Sequence, residues 1–88
     1  MKRVHVRIRG RVQGVFFRAE ARARAESLGL AGWIRNATDG TVEGAFEGED
    51  ERVDSMIDWC RSGPPGARVD EVDIEAEEPT GETGFSVR

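Results

Sequence analysis

This chain of 88 residues has one cysteine, Cys60, one histidine, His5, and one lysine, Lys2. A lone cysteine cannot close an internal disulfide, and with a single histidine it cannot supply the usual zinc ligand sets, so neither a disulfide framework nor a metal site is expected, and no cofactor. Also missing is any apolar run of the ~7 to 15 residues a signal peptide needs, or one long enough to span a bilayer. Lys2 to Arg9 instead alternates basic and apolar residues, and the expectation is a cytoplasmic protein. An excess of positive charge is lacking too: the formal net charge is -4, which argues against nucleic acid or an anionic membrane as partner, because both attract basic surfaces. Any anion must then be captured locally. Nearly all the cations are arginines, whose planar fork suits bidentate contact with phosphate or carboxylate.

Leu, Ile, Val and Phe are sparse and 34% of the chain is charged, yet the apolar residues recur at regular spacings, as in a folded chain. Residues 1–88 are expected to form a single domain with one core, working as a monomer. Val4, Val6 and Ile8 alternate with His5, Arg7 and Arg9, the period-two pattern of a strand with one buried face. Ala19 to Leu28 reads as a helix with Ala21, Ala25 and Leu28 on one face, ended by Gly29. Trp33 and Ile34, the turn signal Asp39-Gly40, and alternating Val42, Gly44 and Phe46 read as a hairpin. The acidic cluster Glu49, Asp50 and Glu51 starts a second helix that buries Val53, Met56, Ile57 and Cys60 and stops at Ser62-Gly63-Pro64-Pro65. Val72 and Ile74 mark a fourth strand whose Asp70, Glu71, Asp73 and Glu75 form the solvated side of a sheet edge. Glu77 to Gly84 reads as a turn, and Phe85 and Val87 add a short terminal strand. The order matches the split β-α-β, ferredoxin-like arrangement, an α+β sandwich with two helices on one face of an antiparallel sheet. The RNA-recognition fold shares that order, but neither Val4 to Ile8 nor Val42 to Phe46 carries its basic-aromatic pattern.

Between the first strand and first helix lies Gly10-Arg11-Val12-Gln13-Gly14-Val15-Phe16-Phe17-Arg18. Its two glycines let the backbone turn sharply, and the helix start supplies unpaired N–H groups and the positive end of a dipole. These are the parts of an anion cradle, to which Arg18 could add charge-assisted hydrogen bonds. The same spacing also suits a plain strand-to-helix connection with Arg18 a solvated charge, and Asn36 could equally cap the turn before Asp39-Gly40.

The residues themselves go further. The loop Gly10 to Arg18, followed by Gly32-Trp33-Ile34-Arg35-Asn36 and Asp39-Gly40-Thr41-Val42-Glu43, resembles the acylphosphatase family over essentially the whole chain, including the Gly-Pro break after the second helix and the Phe-containing end. The resemblance implies the ferredoxin-like fold and metal-independent hydrolysis of a small-molecule acyl phosphate to a carboxylate and inorganic phosphate. It implies that backbone amides of Gln13, Gly14, Val15, Phe16, Phe17 and Arg18 hold the phosphoryl group, that the Arg18 guanidinium grips its oxygens, and that Asn36 positions the attacking water. Many family members carry an aromatic residue shortly after the loop arginine; here the positions are Ala19, Glu20 and Ala21, which leaves the outer lining of the site and the role of Glu20 open.

The residue types suit that chemistry. An acyl phosphate expels a carboxylate whose conjugate acid has a pKa near ~4, so no general acid is required, whereas an alkyl phosphate expels an alkoxide that needs a metal or an acid. The sequence offers no clear candidate for either. His5 is expected as an exposed sheet residue, Cys60 as a buried structural thiol, and Trp33 and Trp59 as packing residues.

Overall fold

The computed structural model describes residues 1–88. Five strands, β1 (Lys2–Arg11), β2 (Ala31–Asn36), β3 (Val42–Gly48), β4 (Arg68–Glu77) and β5 (Phe85–Val87), form one sheet in the order β4-β1-β3-β2-β5. Helices α1 (Phe17–Ser27) and α2 (Asp50–Ser62) complete the βαββαββ order. The expected ferredoxin-like sandwich is present, and the C-terminal strand extends it: β5 pairs parallel with β2, so the otherwise antiparallel sheet is mixed.

The alternation in β1 buries Val4, Val6 and Ile8 with Ile34, Val42 and Phe46 of the neighbouring strands. Ala21 and Ala25 of α1, and Val53, Met56, Ile57 and Cys60 of α2, close over them. Each buried Val, Ile, Met or Phe among them stabilises the fold by about 1.5–3 kcal/mol through removal from water. Helix α1 begins two residues earlier than its alanine-rich stretch suggests, because Phe17 is itself a core residue, 1% exposed and edge-on to Trp59 at 5.3 Å. Leu28 packs against the cluster from its margin.

The opposite sheet face carries no helix, and its polar residues are paired rather than merely solvated. Every residue of β3 is buried, since this strand lies at the centre and its carboxylates are covered by arginines from both sides. Glu43 accepts from Arg7, Arg35 and His5. Burial opposes its ionisation, but the hydrogen bonds from Arg35 and His5 outweigh that and hold its pKa below the usual range. His5 is therefore half-buried rather than exposed, 2.7 Å from Glu43 and edge-on to Trp33.

Glu47 performs a different task on the same strand. Its carboxylate accepts from the amides of Thr80 at 2.8 Å and Gly81 at 2.9 Å and from Arg3 at 3.1 Å. These bonds strap down the segment that carries the chain from the β4 edge of the sheet to the opposite edge, where Phe85 of β5 stacks on Phe46. The Thr80 amide, working against burial and joined by Arg3 and Gly81, lowers the Glu47 pKa. A carboxyl with a depressed folded-state pKa stabilises the fold fully above its unfolded value, about 4.3, and that stabilisation disappears as pH falls through the folded value. Glu47→Gln is expected to lower the melting temperature near neutral pH by several degrees and to flatten its fall in acid; thermal unfolding followed across acid and neutral pH checks this, and an acid limb as steep as that of the parent chain would count against the strap.

Candidate active site

Strand direction assembles the site. Because β1 and β2 are both antiparallel to β3, and β5 is parallel to β2, the C-terminal ends of β1, β2 and β5 meet at the same end of the sheet. The loop after β1, Asn36 at the end of β2, and Val87 opposite Ile34 thereby converge.

The loop is pinned at both ends, by Val12 and Phe17, each 1% exposed. Gly10 does not belong to its turn. It sits in β1 at a register shift against β4, with φ +130 and so close to β4 that a Cβ would lie 2.1 Å from the Arg68 carbonyl oxygen. Gly14 turns the loop itself, with φ +73 and open space where a Cβ would stand. Phe16, the residue preceding α1, also has a left-handed backbone, φ 61 and ψ 21, and makes no side-chain cap. A left-handed conformation costs a residue other than glycine about 1–2 kcal/mol, and an Asp, Asn, Ser or Thr cap would contribute about 1 kcal/mol that this helix forgoes. In return, the amides of residues 13–19 donate to no acceptor in the protein; the first bond at the helix start is Glu20 N–H to the Phe16 carbonyl. A run of free donors at a positive helix end has the chemistry to receive an anion.

Of the residues that carry these donors, Gly14 and Phe16 to Ala19 line a cleft of about 480 Å³. Its polar lining comes from Arg18, Arg22 and Asn36, its apolar lining from Phe16, Phe17, Ala19 and Val87 with Val12 at the base, and Gly14 faces it through backbone. No carboxylate lines it, although the chain carries 17 acidic residues. The Arg18 guanidinium has no ion-pair partner, while Arg3, Arg7, Arg9 and Arg35 on the sheet are all paired. The Asn36 side-chain amide likewise makes no protein hydrogen bond. The turn after it is capped by Asp39, whose Oδ1 accepts from the Thr41 amide at 3.1 Å and hydroxyl at 2.6 Å, so Asn36 is not needed there.

Of the residues singled out from sequence, Gly14, Phe16, Phe17, Arg18 and Asn36 meet in this cleft, whereas Gln13 and Val15 lie outside its lining. Val15 packs against the core. Gln13 has a role that its sequence position conceals: its side-chain amide donates to the carbonyls of Ala37 and Thr41, both at 2.9 Å, and ties the loop to the turn that follows Asn36. Arg22 and Val87 also escaped sequence reading, although Arg22 stands four residues after Arg18 and helical spacing alone puts the two on one face. Cys60 is fully buried and its thiol is pushed up to about 12 by that burial, which removes it as a nucleophile. No group of three or more His, Cys, Asp or Glu side chains is placed to hold a metal ion.

A ferredoxin-like sandwich with free amides, an unpaired arginine and a free carboxamide in one cleft has the donor set that suits a small anionic substrate. The family model "Acylphosphatase" matches residues 4–87. The chain is 57% identical over 88 residues to an acylphosphatase of a Roseiflexus species, covering 99% of this chain and 95% of that protein. It is 54% identical over 86 residues to one of Pelotomaculum thermopropionicum, covering 97% and 94%. The crystal structure of acylphosphatase from Bacillus subtilis superposes with a TM-score of 0.96 at 31% identity, covering 100% of this chain and 99% of that one. The chain belongs to the acylphosphatase family, and its activity is hydrolysis of the carboxyl-phosphate bond of acyl phosphates. Its substrate is thus a small molecule, and no helix is long and apolar enough to cross a membrane.

Proposed function

We propose that Arg18 and Asn36 are the catalytic residues, that the amides from Gln13 to Arg18 hold the phosphoryl group, and that water attacks phosphorus in line with the departing carboxylate, without a metal or covalent intermediate. The observation that carries this reading is the juxtaposition, in one carboxylate-free cleft, of a free guanidinium, a free carboxamide and a run of unsatisfied amides. In this mechanism the amides and Arg18 bind the phosphoryl oxygens and stabilise the charge they carry in the transition state. The Asn36 carbonyl oxygen accepts from the attacking water and its NH₂ group is directed at the phosphoryl oxygens, so nucleophile and electrophile are held together. The scissile bond breaks with its electron pair on the acyl oxygen, and the proton lost by the attacking water passes to the phosphoryl oxygens, so the products are a carboxylate and protonated inorganic phosphate. Because the resulting carboxylate is stable near neutrality, the cleft's lack of an acidic group costs the reaction nothing at that step.

Residues 1–88 act as one catalytic domain, since a single core underlies both helices and the whole sheet. The enzyme works as a monomer on no nucleic acid: the helix-free sheet face is closed by ion pairs rather than left as a broad apolar or basic surface for a partner. The buried free thiol of Cys60 suits the reducing cytoplasm.

Purified enzyme with excess chelator is expected to hydrolyse acetyl and benzoyl phosphate at its full rate and to leave glycerol phosphate intact. Phosphate release measured with and without chelator tests both points, and a chelator-sensitive rate or comparable turnover of the alkyl phosphate would overturn this mechanism.

A further inference from the structure

Arg22 lines the same cleft as Arg18 but stands one helical turn further along α1. Four residues at 1.5 Å each separate the two Cα atoms by about 6 Å along the axis, on the same helix face. The cleft therefore holds two cations and no carboxylate in a chain of net charge -4. Arg18 and the free loop amides already supply the donors for a phosphoryl group. Arg22 is in surplus to that task, and its tie within the protein is Glu26 at 3.6 Å, with both side chains about half exposed, 52% and 55%. Such a pair is weak and easily exchanged for another anion. Ala19 adds only a methyl to the lining, and Phe16, 81% exposed, and Val87, 38% exposed, supply apolar surface to it.

We propose that Arg22 is a specificity-determining residue that recognises a second anionic group on the acyl portion of the substrate, so that the enzyme prefers acyl phosphates whose short apolar stem ends in a carboxylate or phosphate. The inference rests on the phosphoryl group being held at Arg18. With phosphorus there, the acyl carbonyl leaves the cradle toward Ala19, the stem lies against Phe16 and Val87, and a terminal anion reaches the Arg22 guanidinium in place of Glu26. Recognition comes from a charge-assisted contact with the planar guanidinium that an uncharged acyl chain of the same length cannot make.

Succinyl phosphate and butyryl phosphate test this directly, because their acyl chains have the same length and differ by a terminal carboxylate. The expected kcat/KM is roughly ten-fold higher for succinyl phosphate at low salt, and the preference shrinks as salt is raised. Arg22→Gln should collapse that ratio to about one, and Arg22→Lys should retain part of it. A succinyl-to-butyryl ratio that is the same in the parent enzyme and in Arg22→Gln overturns the proposal. It does so if both rates fall together, which puts Arg22 on the phosphoryl group, and equally if neither falls, which leaves it a surface partner of Glu26. Loss of the Arg18 reading is distinguishable: inorganic phosphate would then fail to compete with either substrate, in the parent enzyme as in the variants.

Discussion

Arg18→Ala is expected to abolish binding of inorganic phosphate and to lower kcat/KM for benzoyl phosphate by at least about 10³-fold, with the fold intact. Removing a single preorganised donor from a site that stabilises transition-state charge costs about 10²–10³ in rate, and Arg18 offers two donors and a full charge. The stability expectation comes from the structure, where Arg18 is exposed and has no ion-pair or hydrogen-bond partner to leave stranded; surface changes of that kind fall within about 0.5 kcal/mol. Phosphate titration by calorimetry, steady-state kinetics and thermal unfolding together separate the outcomes. Near-normal hydrolysis would remove Arg18 from the mechanism, and lost activity with a collapsed melting temperature would assign it to the fold instead. Arg18→Lys restores the charge but not the planar fork, so it should recover part of the phosphate affinity and little of the rate.

Asn36→Ala should separate binding from turnover. The amides and Arg18 remain, so inorganic phosphate is expected to bind within a few-fold of its affinity for the parent enzyme, while kcat falls by about 10²–10³-fold because the attacking water is no longer oriented. The same structural logic protects the fold: the side chain makes no hydrogen bond and the adjacent turn is held by Asp39 and Thr41. A loss expressed in KM with kcat preserved would show that Asn36 binds substrate and does not align the nucleophile. The pair of variants is informative jointly, since Arg18→Ala loses phosphate and Asn36→Ala keeps it.

The polarity of each residue's surroundings was largely legible from spacing. Val4, Val6 and Ile8, and Val53, Met56, Ile57 and Cys60, are buried as their periods of two and 3.6 require. The ends of both helices follow from local chemistry, Gly29 at φ +68 after α1 and the Gly63-Pro64 break after α2. Edge position explains the acidic β4. The candidate site was less legible. Gly10 and Gly14 look alike in sequence, yet one relieves a contact between β1 and β4 and the other turns the loop in open space, a difference of surroundings that local sequence does not contain. Arg18 and Asn36 lie 18 positions apart, and only the family resemblance joined them before the structure did.

What the sequence alone determined is the order of elements, the side of each that is buried, the turn and cap chemistry between them, and the family. These are short-range properties, because side-chain periodicity and local backbone preference act within a few residues. Tertiary structure decided which strands are neighbours and in which direction they run. That long-range pairing brings the ends of β1, β2 and β5 to one cleft, ties Gln13 to Ala37 and Thr41, turns the polar face of β1 into a set of ion pairs with Glu43 and Glu47, and sets Arg22 beside Arg18 in a cleft free of carboxylates.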